Sequence, residues 1–312
     1  MRRDLASERG QTIAVTAVFL TVLIATAAFV LDIGSWFRAD RQAQTMADAA
    51  ALAGAQALPA DPATAQALAA QYVDENDGTD ATETVTISSA VLANDTITVE
   101  VEQAAPGFFA KIFGIDAVDV HAKATARTGA LSQAKFVAPM VVKETHPGLQ
   151  CPKNGQPVGP CTGTTYSLPY DKDLTDAPGA FGMLNLASDG GTVGSSTLAD
   201  WILHGYNGYL GKGDYNSDPG AKFSAGVVRD ALETRKLEGT PLLFPVYKKL
   251  TGQGSGAKYT IIGWVGFVIT SYTIQGNNAT LTGYFTETYV EGIQTTSTSD
   301  PDFGAHDIDL ID

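Results

Sequence analysis

The spacing of polar and apolar positions changes several times along this chain, and each change marks a different kind of element. Residues Thr12–Leu31 read TIAVTAVFLTVLIATAAFVL, twenty positions without one charge. A helix rises about 1.5 Å per residue, so such a run covers a hydrocarbon core of roughly 30 Å, and 12–31 is expected to be a transmembrane helix in a lipid bilayer. Beyond Leu31 the helical period persists, but its apolar face shrinks to small residues. Ala43, Ala47, Ala50, Ala51, Gly54 and Ala55 recur on one stripe, while Arg41, Gln44 and Asp48 fall on another face. No proline occurs before Pro59. A single helix from about Gln11 to Leu58 follows, with 32–58 an extension past the membrane and Gly34 its weakest point. The small stripe has two readings. It packs on the chain's own globular part, or it permits self-association by letting a second helix approach closely.

After Pro59 a short helix is expected over ATAQALAAQYVDEN, ending at Asp77-Gly78. TETVTISSAV and DTITVEVEQA alternate with period two and read as strands of a hairpin. PGFFAKIFG reads as a short amphipathic helix through Phe108, Phe109, Ile112 and Phe113, stopped by Gly114, and AVDVHAKATART as a third strand. Residues 59–130 should thus form a small α+β domain with an antiparallel sheet packed by helices. In the β-rich domain expected over 131–296, FVAPMVV reads as a buried strand. LADWILHGYNGYL and SAGVVRDALETRKL read as amphipathic helices. LLFPVYKKL, YTIIGWVGFVITSYTI and ATLTGYFTETYV read as strands. The run YTIIGWVGFVITSY is apolar on both faces, but its glycines and its fourteen residues suit a central strand pair or one long bent strand, not a second span. Residues 297–312 read as an acidic tail with a short final strand. The fold class is α+β: a long N-terminal transmembrane helix, a small helix-packed antiparallel sheet, then a β-rich C-terminal domain with two or more helices.

Charge orients the chain. Arg2, Arg3 and Arg9 precede the apolar run in residues 1–11, which is the pattern of a short cytoplasmic tail and places the remainder outside the cytoplasmic membrane. Ala25-Thr26-Ala27 fits a small-x-small cleavage site, but the apolar run continues past it through Leu31. The formal net charge is −14, and removing the tail leaves 17 basic against 32 acidic residues. A surface this acidic argues against nucleic acid as a partner. Outside the membrane, Cys151 and Cys161 in CPKNGQPVGPC read as a disulfide closing a short loop.

Candidate chemistry is sparse. Asp214, Asn216 and Asp218 alternate in GDYNSDPG, as oxygen ligands of Ca²⁺ do, but the loop lacks the glycine and distal glutamate of an EF-hand, and a turn with a helix cap explains it as well. Asp300, Asp302, Asp307 and Asp309 could hold a divalent ion or form a solvated acidic segment. His121, His146, His204 and His306 are scattered, and no nucleophile-elbow, phosphate-loop, zinc-protease or dinucleotide-binding pattern appears. Neither catalytic nor cofactor-binding residues are assigned, and an enzyme is not expected.

One order of motifs is specific. Arg9-Gly10, the apolar span, Asp32-Ile33-Gly34, Phe37, Arg41 and Ala47-Asp48-Ala49-Ala50-Ala51-Leu52-Ala53-Gly54-Ala55 follow one another. This segment resembles the TadE/TadG-like proteins of Tad (Flp) pilus assembly, over about the first 58 residues. The resemblance implies a membrane-anchored, extracytoplasmic accessory of a type IVb pilus or related secretion machine, with other pilus or secretion subunits as partners and no catalysis. A surface adhesin or ligand-binding protein on a pilin-like stalk is the alternative. One departure counts against a pilin. Were Gly10 a prepilin cleavage point, the fifth residue after it would be Val15 where pilins carry glutamate, and no acidic residue lies between Glu8 and Asp32.

Overall fold

The structure, a computed structural model, describes residues 5–77, 81–152, 158–170, 182–187, 192–218, 222–276 and 278–311. Arg2, Arg3, the middle of the Cys151–Cys161 loop and Gly190-Gly191 lie outside the described residues. The chain divides into two units, one of residues 1–88, 96–127 and 310–312, the other of 89–95 and 128–309.

The first unit is built on one helix, α1 (Leu5–Ala55), which is helical throughout, Gly34 included. Its surface changes character along its length. From Ile13 to Leu31 the large apolar side chains are exposed, and the most apolar stretch has a mean hydropathy of 2.5 with none of it buried. Beyond Asp32 the small stripe is buried: Ala43, Ala47, Ala50, Ala51 and Ala55 have no exposed surface. They are covered by helix α2 (Pro62–Asp77) and by strand β2 (Thr96–Pro106), both of which pack on α1. Strand β1 (Ala81–Ser88) pairs antiparallel with β2, and β2 with β3 (Ala117–Ala134), from Thr96↔Arg127 to Pro106↔Ala117. The alternation expected of the sequence is met. Ile97, Val99 and Val101 oppose Ala126, Ala124 and Ala122 on the buried face, and Glu100 and Glu102 oppose Lys123 and His121 on the other.

In the second unit the sheet order is β4 (Val142–Lys143), β8 (Leu242–Thr251), β9 (Lys258–Gln275), β10 (Asn278–Thr286) and β5 (Thr165–Tyr170), with β7 (Gly213–Asn216) also beside β9. Strand β6 (Leu210–Gly211) and strand β12 (Gly292–Gln294) pair with β3 at 131–134, and β11 (Thr288–Tyr289) runs parallel to β13 (Ala305–Leu310). Helices α3 (Ser195–His204) and α4 (Gly226–Glu238) complete it, with α4 packed on β9. The apolar run is one eighteen-residue strand, buried on both faces from Gly263 to Ile269, so the long strand rather than a strand pair is what forms. Residues 137–142 are buried as expected, though Phe136 is exposed, and the segment makes only isolated bridges at Val137 and Met140 before β4. Pro139 has no N–H for a ladder and Phe136 sits at φ 59°, so a regular strand cannot run through them. The segment read as an acidic tail carries β13, with Asp302, Phe303, Ala305 and His306 buried.

Candidate functional site, a collar on the N-terminal helix

The first polar residue after the apolar run, Asp32, is 2% exposed. Its carboxylate is held by the turn 106–116, between β2 and β3. Gly107 closes the turn by donating its N–H to the Asp116 carbonyl, and a Cβ on it would lie 2.8 Å from the Ile115 carbonyl oxygen. Ala110–Phe113 form one 3-10 turn, which Gly114 ends in the left-handed region at φ 82°. The main-chain N–H groups of Phe108, Phe109 and Ala110 therefore point together and have no partner within the turn. Asp32 accepts all of them, Oδ1 from Phe108 at 2.9 Å and Oδ2 from Phe109 and Ala110 at 3.0 and 2.5 Å. A buried carboxylate with such donors costs far less than a bare one, which is how a charge sits at the edge of an apolar segment.

The turn and α1 enclose an apolar groove of about 590 Å³, lined on the helix by Thr21, Ile24, Ala28 and Phe29 and on the turn by Phe109 and Phe113 among others. The large apolar side chains of the segment read as a short amphipathic helix are mostly exposed. Phe108, Ile112 and Phe113 are 64, 79 and 83% exposed. The short helix expected here forms as a single 3-10 turn, ended at Gly114 as the sequence suggests. The available signal was a doubled aromatic pair with one charge, Lys111, in a segment tied to no large core.

Of the residues carrying the family resemblance, Asp32 builds this collar. Gly34 and Arg41 are exposed. Asp48 accepts from Gln44 Nε2 at 2.7 Å, and the same nitrogen reaches the Lys123 carbonyl of β3 at 3.2 Å. Ala47 and Ala50 are buried, Leu52 is half-buried, and Gly54 lies where a Cβ would meet Ile97 Cδ1 at 2.5 Å and the Ala65 carbonyl at 2.8 Å.

The remaining candidates lie in the second unit. Cys151 and Cys161 are disulfide-bonded. Asp214 and Asn216 are on strand β7, not in a loop, where Asp214 accepts from Thr260. Asp218 is buried and accepts from Lys222 Nζ at 2.6 Å. Asp300 pairs with Lys212 at 2.6 Å and Asp302 with His306 at 2.8 Å. Among the described residues no three His, Cys, Asp or Glu side chains come together as a metal site needs.

Residues 10–57 match the family described as putative Flp pilus-assembly TadE/G-like. The match contains the exposed apolar surface of α1, Asp32 and the buried small stripe, and it ends before α2. Comparison with curated proteins and with solved structures returns no match. The N-terminal segment is TadE/G-like, and its helix is long and apolar enough to cross a membrane.

Proposed function

We propose that this protein is a membrane-anchored, extracytoplasmic accessory of a Tad/Flp type IVb pilus or related secretion apparatus, acting through structural protein–protein contacts. The observation that carries the reading is the TadE/G-like match over 10–57, coinciding with a helix whose uncharged stretch 12–31 lies exposed and whose part beyond Asp32 is packed into a folded unit. Residues 12–31 anchor the chain, with residues 1–11 cytoplasmic and everything past Asp32 outside. The missing glutamate near Gly10 favours an anchor retained in the membrane over a polymerising subunit. Self-association through the Ala-rich face would require α2 and β2 to leave it, so contacts to other subunits fall to the remaining surfaces. The reading assigns no catalytic step.

Deleting the gene tests it. Loss of assembled pili or of secretion is expected, restored by the intact chain, and wild-type piliation and secretion in the deletion would refute it. Orientation is tested apart from this by cysteine variants in a background lacking Cys151 and Cys161. An impermeant thiol reagent should label position 84 and not position 5 in intact cells.

A further inference from the structure

We infer that the turn 107–115 is a second membrane contact, in which Phe108, Ile112 and Phe113 enter the outer leaflet beside α1 and lipid acyl chains fill the groove between turn and helix. The inference rests on the reading of 12–31 as a span. It follows from where the groove lies. Its helix wall runs from Thr21 to Trp36, and most of it, Ile24 to Phe29, belongs to the outer half of the span. At about 1.5 Å per residue, Thr21 sits roughly 15 Å below Leu31 along the helix, near the middle of a core roughly 30 Å thick. A bilayer that surrounds α1 at these levels surrounds the turn that flanks it there.

The turn has the properties that such a place demands. Inside hydrocarbon an unpaired backbone N–H costs several kcal/mol, so irregular chain is tolerated only when its donors are satisfied within the protein. Phe108, Phe109 and Ala110 donate to Asp32. Gly107, Ile112, Gly114 and Ile115 donate to carbonyls of the same turn. From Phe108 to Ile115 the one charged residue is Lys111, exposed on a stem long enough to carry its ammonium toward the headgroups. In water the same side chains would form an apolar patch continuous with the exposed apolar surface of the span, at sites 64 to 83% exposed. That continuity selects lipid as the occupant: the helix half of the groove is already a lipid-facing surface.

The test uses the full chain in phosphatidylcholine–phosphatidylglycerol vesicles. Nitroxide labels are placed one at a time through Phe113→Cys, Ile112→Cys, Val22→Cys and Thr84→Cys. The described native cysteines are bonded to each other and leave the introduced thiol to react. Collision with oxygen and with a polar nickel chelate is read by power saturation. Labels at 112 and 113 are expected to follow position 22, oxygen-accessible and shielded from nickel by about tenfold relative to position 84. Nickel access at 112 and 113 with lipid-like behaviour at 22 overturns the second contact and leaves the span. Nickel access at 22 as well overturns the span itself. Shielding of 112 and 113 from both reagents overturns the lipid assignment in favour of a second copy of the chain.

Discussion

Asp32 and Ala110, 78 residues apart, are joined by a hydrogen bond of 2.5 Å from the main-chain N–H of Ala110 to the Asp32 carboxylate. This contact, with those to Phe108 and Phe109, ties the turn 107–115 to the helix through main-chain donors. Asp32→Ala should orphan these donors at a cost of about 1–3 kcal/mol, and Asp32→Asn should recover part of it. Amide hydrogen exchange in detergent micelles reads the effect directly. Exchange at 108–110 should accelerate in Asp32→Ala while protection of β9 is unchanged. Unaltered exchange at 108–110 would show that packing alone holds the turn.

Two glycines on α1 should respond to the same change with opposite sign. Among the described residues nothing lies within 4 Å of a Cβ added at Gly34, so Gly34→Ala should stabilise the helix by about 0.5–1 kcal/mol. Gly54→Ala would place a methyl 2.5 Å from Ile97 Cδ1, 2.8 Å from the Ala65 carbonyl and 3.3 Å from the Ala69 methyl. Two of the neighbours are backbone or short side chain and cannot swing away, so a loss of about 1–3 kcal/mol is expected in chemical denaturation. Equal responses at both sites would mean that α2 and β2 do not close on the stripe.

How far these features could be read in advance depended on whether the determining contact is local. The helix, the period-two strands and the long apolar strand follow from side-chain spacing, and each is where that spacing puts it. The small stripe was ambiguous because small residues suit close approach by any helix, the chain's own or another's. Only the covering of Ala47, Ala50 and Gly54 by α2 and β2 decides it. The role of Asp32 was out of reach for a related reason. Its partners are main-chain groups, which leave no mark on residue type, and they come from a turn far along the chain. Phe108, Ile112 and Phe113 have amphipathic spacing, which marks an apolar face without saying what covers it, and here all three are exposed. Ala305 and His306 are buried where β13 pairs with β11, again a contact between segments.

The disulfide should matter to the second unit alone. Cys151 and Cys161 are ten residues apart, and the loop's ends are also tied by N–H donation from Gly159 to the Leu149 carbonyl and from Cys161 to that of Gly148. Closing a loop of this length stabilises by about 2.5–3 kcal/mol in the chain-entropy account. Cys151→Ser with Cys161→Ser should lower the melting temperature of the second unit by about 5–10 °C. Hydrogen exchange of β2 in the first unit should not change. An unchanged melting temperature would show that the backbone bonds alone hold the loop.

Two carboxylates of the second unit should tilt its stability with pH in opposite directions. For Asp300, hydrogen bonding from the Lys212 ammonium, against some desolvation, holds the carboxyl below its usual value. The folded state then binds that proton less readily than the unfolded one. Its stabilisation is complete above the ordinary carboxylate range near pH 4 and disappears as pH falls through the lower folded value. Asp307 behaves the other way. Burial first, and then the neighbouring Asp309 carboxylate, push it up to about 6. The folded state holds this proton more tightly, so stability gained below about pH 4 is lost as pH rises through about 6. Because Asp307 is partly solvated, the loss should amount to about 1 kcal/mol and no more. Asp307→Asn removes the titration and should therefore raise the midpoint of denaturant unfolding at pH 7.5 while leaving it nearly unchanged at pH 4.5. Asp300→Asn should lower the midpoint at both values. An Asp307→Asn variant that gains equally at pH 4.5 and 7.5 would mean that the aspartate titrates normally in the folded chain, and that packing rather than charge sets the cost at this site.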